Sequence, residues 1–94
     1  MDKESIISFL KQHKQLLLEQ YHVKAIGLFG SYATDKYTDK SDIDILVDMP
    51  SSFDLYYDLK EFLEISFNKS VDLGLKRSMR TLIKEKIDKE IIYA

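Results

Sequence analysis

The sequence predicts an α+β domain, with a small mixed β-sheet of about three strands and helices packed on it, in the order α-β-β-α-β-α. Three observations lead there. Three segments repeat apolar residues at three- and four-residue steps, which is helical spacing. Three short runs are apolar or alternate with period two, as strands do. The two kinds of segment interleave along a chain with one proline and three glycines, leaving no room for a long linker.

Asp2 to Tyr21 reads as one helix, with Ile6, Phe9, Leu10, His13, Leu17 and Tyr21 on its apolar side and lysines and glutamines opposite. Val23 to Phe29 is a short apolar run, a buried strand that ends in Gly30-Ser31. Tyr32 to Lys40 is a polar loop opening with a short helical turn. Asp42 to Asp48 alternates, with Ile43, Ile45 and Val47 on one side and Asp42, Asp44 and Leu46 on the other, until Met49-Pro50 stops it. Ser51 is placed to cap the next helix, with Asp54 approximating a capping box. That helix runs to about Phe67, with Leu55, Leu59, Phe62 and Leu63 inward. Asn68-Lys69-Ser70 turns the chain into a third strand, Val71 to Leu75. Ser78 then caps a last helix carrying Met79, Ile83, Ile87 and Ile91 at helical spacing.

Length and composition bound the function. Ninety-four residues suit one domain, residues 1–94, which can build a single modest core. The hydrophobic fraction is 45% and the charged fraction 32%, as in folded domains. A formal charge of -2 gives no basic excess for nucleic acid. The absence of cysteine excludes disulfides, thiolate zinc sites and cysteine nucleophiles. Neither a signal peptide nor an apolar stretch long enough to cross a bilayer is present, so a cytoplasmic location is expected.

The chemistry concentrates in the strands. Asp42 and Asp44 are two apart, so their carboxylates point the same way, although aspartate is a poor strand former. At about 4 Å and an effective dielectric near 20, such charges repel by roughly 4 kcal/mol, so one takes a proton or a cation sits between them. Oxygen-only ligands of this kind suit Mg²⁺ or Mn²⁺. Asp72 repeats the theme: Val71, Leu73 and Leu75 face one way, Asp72 and Gly74 the other. If its strand neighbours the second, three carboxylates share one patch and could hold two metal ions. Gly30-Ser31 lies where the first strand ends. Glycine there allows close backbone approach, and the serine hydroxyl and following amides can donate to phosphate. Singly, each feature has an ordinary explanation as solvated surface. A phosphate-binding turn beside clustered carboxylates is what phosphoryl or nucleotidyl transfer requires.

Gly30-Ser31, then Asp42-Ile43-Asp44 after ten residues, then Val71-Asp72-Leu73 resemble the DNA polymerase β superfamily of nucleotidyltransferases. More narrowly, the leading helix, GSYA, SDIDILV, the VDL strand and the closing IIYA are similar to the minimal nucleotidyltransferases, antitoxins to HEPN-domain ribonuclease toxins. The resemblance implies that Asp42 and Asp44 bind two Mg²⁺ ions. It implies that Asp72 binds the catalytic metal and helps deprotonate the acceptor, and that Gly30 and Ser31 hold the triphosphate. It further implies ATP as donor, and as acceptor a tyrosine hydroxyl on a HEPN-type toxin encoded nearby, which adenylylation silences. The pattern departs from the family at Thr34-Asp35, where members often carry Arg-Gly; Lys36 and Lys40 are the nearest cations that could substitute. A second expectation is a non-catalytic antitoxin that neutralises its partner by complex formation. The small size also implies a partner, another protein or another copy of the chain, to complete the acceptor site.

Of the remaining polar and aromatic residues, His13 is expected to be partly buried with a hydrogen-bond partner, and His22 to sit at a helix end. Tyr56 and Tyr57 are adjacent and cannot both face one core, so one is expected to be exposed.

Overall fold

The computed structural model describes residues 1–94. Its elements are α1 (Lys3–Gln12), α2 (Lys14–Tyr21), β1 (Ala25–Phe29), α3 (Gly30–Ala33), β2 (Ile43–Asp48), α4 (Phe53–Phe67), β3 (Val71–Leu75), a 3₁₀ turn (Lys76–Ser78), α5 (Thr81–Asp88) and β4 (Ile92–Tyr93). The strands form one mixed sheet in the order β3-β2-β1-β4. β1 runs antiparallel to both β2 and β4, while β2 and β3 run parallel and are joined through α4. The α+β class holds, but the sheet has four strands where three were expected.

The inward residues follow the alternation. Ile26 and Leu28 of β1, Ile43, Ile45 and Val47 of β2, and Val71 and Leu73 of β3 are buried in one cluster with Ile6 and Leu10 of α1, Leu17 of α2, and Leu59, Leu63 and Phe67 of α4. Each fully buried aliphatic side chain contributes roughly 1.5–3 kcal/mol of transfer free energy. The leading helix is broken at His13. Its Nδ1 lies 2.9 Å from the Phe9 carbonyl, which can only accept, so Nδ1 donates; the ring stacks on Phe9 at a centroid distance of 4.0 Å. His22 ends α2 in the left-handed region at φ 57°. The cap of α4 lies one residue later than expected: Ser52 accepts from the Leu55 N–H, leaving Asp54 in the first turn without a capping box.

The other face of the sheet is covered by the C-terminal segment. A Cβ on Gly74 would lie 2.7 Å from Met79 Cε, and one on Gly27 2.8 Å from the Ile91 side chain. These glycines make the gaps that Met79 and Ile91 fill. Neither residue is in α5, which starts only at Thr81 with Arg80 as an N-cap that makes no side-chain bond. The regular spacing of Met79, Ile83, Ile87 and Ile91 therefore reflects packing on the sheet at both ends, not one continuous helix. This layer also buries Leu46, on the outer side of β2, to 1% exposure. No helix is long and apolar enough to cross a membrane.

Candidate active site

The predicted residues meet at one end of the sheet. β1 runs toward it and β2 and β3 start from it. In the parallel β2–β3 pair Asp44 stands opposite Asp72, and in the antiparallel β1–β2 pair it stands opposite Phe29, the residue before Gly30. Neighbouring strands lie about 4.8 Å apart, so residues in register on one face are side by side. Asp42 precedes β2 and is exposed, Asp72 is exposed on the edge strand, and Asp44 between them is half-buried.

The electrostatics follow from this placement. The Asp44 carboxyl is pushed up to about 6, first by burial and then by the charges of Asp72, Asp42 and Glu90. The chain's ion pairs are Lys3–Asp35, Lys60–Glu64 and Arg77–Asp48, so no protein cation neutralises the cluster. An all-oxygen set lacking a countercharge fits a hard divalent cation. No three acidic side chains are gathered about one point. An ion here would therefore take one or two carboxylates and complete its shell with water and phosphate oxygens, as Mg²⁺ commonly does.

Gly30 is required at its position twice over. Its φ is +74°, and a Cβ built there would land on the Asp44 carboxylate. Ser31 follows in the first turn of α3, and its hydroxyl makes no hydrogen bond within the chain. Thr34 closes that turn, its hydroxyl donating to the Gly30 carbonyl at 3.1 Å. Asp35 adopts φ +60°, a conformation that suits glycine, and its carboxylate pairs with Lys3 at 2.9 Å. The side chains of Lys36 and Lys40 make no hydrogen bond or ion pair within the chain.

Three further residues shape the site. The outward backbone groups on either side of Asp72 are held by α4: Glu64 Oε2 accepts from the Val71 N–H at 2.9 Å, and the Tyr56 hydroxyl donates to the Leu73 carbonyl. An edge strand with its free groups bonded in this way is fixed in place. Tyr57 is the exposed member of the tyrosine pair, at 51%. The third residue is Glu90, which accepts the Gly30 N–H through Oε1 at 3.0 Å across 60 positions of sequence. No local pattern signals any of these contacts; only the tertiary fold creates them. The acidic cluster lies on an open surface, and the chain's four clefts are lined by other residues.

Known proteins resemble the chain in sequence and in fold. The family model for the nucleotidyltransferase domain matches residues 10–94. The protein adenylyltransferase MntA of Thermococcus cleftensis is 38% identical over 92 residues, spanning 96% of this chain and 93% of that protein. A solved structure of a candidate minimal nucleotidyltransferase superposes with a TM-score of 0.80 at 25% identity, covering 98% of this chain and 95% of that one. The same fold occurs, at a TM-score of 0.61 and 24% identity, in a complex of a tri-AMPylated Shewanella oneidensis HEPN toxin with an MNT antitoxin, covering 97% of this chain and 66% of that one.

Proposed function

The chain belongs to the nucleotidyltransferase domain family, and from that premise we propose that it transfers AMP from ATP to a tyrosine hydroxyl of a HEPN-type toxin and so acts as its antitoxin. The observation that carries this reading is the pairing of Asp44 with Asp72 beside Gly30, in a cluster that no cation of the chain neutralises. The names of two similar proteins support the acceptor class: one is a protein adenylyltransferase, and the other was solved with an AMPylated HEPN toxin.

Each residue has a role in this scheme. Gly30 and Ser31 receive the triphosphate, glycine by allowing close approach and Ser31 by donating its free hydroxyl. Asp42, Asp44 and Asp72 would hold two Mg²⁺ ions, which would neutralise the phosphates, align them and activate the acceptor oxygen. Asp72, exposed on the edge strand, is the carboxylate best placed to draw the proton from an incoming hydroxyl. Tyr56 and Glu64 keep Asp72 in register. Because the cluster lies outside any cleft, the toxin's own surface completes the acceptor side.

A titration with Mn²⁺ followed by its electron paramagnetic resonance tests the metal assignment without requiring turnover. The wild-type chain should bind Mn²⁺ more tightly with ATP present, and Asp44→Asn and Asp72→Asn should each weaken binding by at least about tenfold. Wild-type affinity in both variants would rule the assignment out. A purely binding antitoxin has one observation in its favour, the acidic Asp35 where relatives of this pattern often carry glycine beside an arginine. Neutralisation that survives Asp44→Asn undiminished would decide for it.

A further inference from the structure

The last strand leaves one rung of the sheet to a side chain. β1 and β4 pair with Gly27 opposite Tyr93 and Leu28 opposite Ile92, a register that, continued past the strands, would bring Glu90 opposite Gly30. The Glu90 backbone N–H is engaged elsewhere, donating to the Ile87 carbonyl at 2.9 Å as α5 ends. The side chain closes the rung instead, accepting the Gly30 N–H through Oε1 at 3.0 Å in a part-buried setting. This places a fourth carboxylate on Gly30, the residue against which the Asp44 carboxylate packs, with no lysine or arginine paired to it. A rung needed only to finish the sheet could be closed by any neutral acceptor, or left to water, without that charge. The donor it holds is the N–H of the residue whose φ of +74° begins the Gly30-Ser31 turn.

We propose that Glu90 is a positioning residue for nucleotidyl transfer: by holding the Gly30 N–H it sets the turn that receives the triphosphate and ties the closing strand to the site. The inference rests on the reading of Gly30-Ser31 as the triphosphate turn. It explains why the chain returns to the sheet at β4 after crossing the open face, for Glu90 reaches Gly30 only because Ile92 and Tyr93 are docked on β1.

Two variants of the 94-residue chain separate reach from charge. Glu90→Gln keeps the length and an accepting oxygen, whereas Glu90→Asp keeps the charge and is one methylene short. Each is compared with wild type by the amide resonance of Gly30 and by ATP affinity, and then by KM and kcat with the toxin as acceptor. Glu90→Gln should leave the Gly30 resonance close to wild type and KM for ATP within about threefold. Glu90→Asp should shift the resonance and raise KM about tenfold, with kcat far less affected and circular dichroism unchanged. A Glu90→Asp chain with wild-type resonance and KM would overturn the proposal, as would a Glu90→Gln chain as impaired as Glu90→Asp. If the wild-type chain transfers nothing, the transfer reading fails, and the Gly30 resonance and ATP affinity of Glu90→Asp still decide whether Glu90 holds the turn.

Discussion

Asp44 is acted on by burial and by charge together, and its titration gives the site a pH signature. Its folded pKa is raised from 3.8 to about 6. Between those values the folded chain holds a proton that the unfolded chain has released, so this group's stabilisation is present at low pH and lost as pH rises through about 6. Asp44→Asn removes that loss. In metal-free buffer at pH 7.5 the variant should be more stable than wild type by roughly 1 kcal/mol, a figure reduced for partial solvent screening. The gap should narrow as pH falls below 6 and close only below the unfolded value, by about pH 3, and added Mg²⁺ should raise the Tm of wild type but not of Asp44→Asn. Thermal melts at the two pH values check this, and equal Tm values throughout would contradict it. Gly30→Ala is expected to be costlier, because both its φ and the Asp44 carboxylate oppose a side chain; a loss of about 1–3 kcal/mol in urea unfolding, with weakened ATP binding, is the expected result. These residues were legible in the sequence for a physical reason. Aspartate is depleted in strands, so Asp42-Ile43-Asp44 and Val71-Asp72 stand out against the propensities, and Gly30-Ser31 draws notice by closing the strand that precedes them. Glu90 was not legible, since a glutamate near a helix end is ordinary until the sheet brings it to Gly30.

At the scale of elements, β2, α4 and β3 carry strong local patterns, and the structure places them within a residue or two of expectation. The two ends of the chain do not. His13 fits the apolar stripe of a single helix, yet the helix divides there, at a residue whose ring bonds the Phe9 carbonyl and stacks on Phe9. Met79 and Ile91 fit the spacing of the last helix, yet the gaps above Gly74 and Gly27 capture them. β4 is two residues long, too short for alternation to be seen, and exists because β1 offers it a free edge. Packing overrode local pattern in each case. The same scale holds a prediction for the α4–β3 contact. Tyr56→Phe removes the hydroxyl that bonds the Leu73 carbonyl next to Asp72. It should cost about 1 kcal/mol in chemical denaturation and reduce transfer several-fold, chiefly in kcat. Unchanged kcat with reduced stability would confine Tyr56 to a structural role.

For the whole molecule, the chain spends its small core on holding one end of a sheet in shape. Residues from Ile6 to Leu73 build one buried layer, the C-terminal segment covers the other face and returns an acidic side chain to the site, and the cluster itself stays open. An open acidic surface beside the Gly30-Ser31 turn suits an acceptor delivered by a partner rather than one enclosed in a cleft. The most direct test is to combine the chain with a HEPN-type protein encoded beside it, add ATP and Mg²⁺, and record intact masses for wild type and for Asp44→Asn and Asp72→Asn. The account predicts a gain of one or more adenylates on the partner with wild type, abolished by chelator and by either substitution. A partner left unmodified by wild type, or modified equally by the two variants, would contradict it.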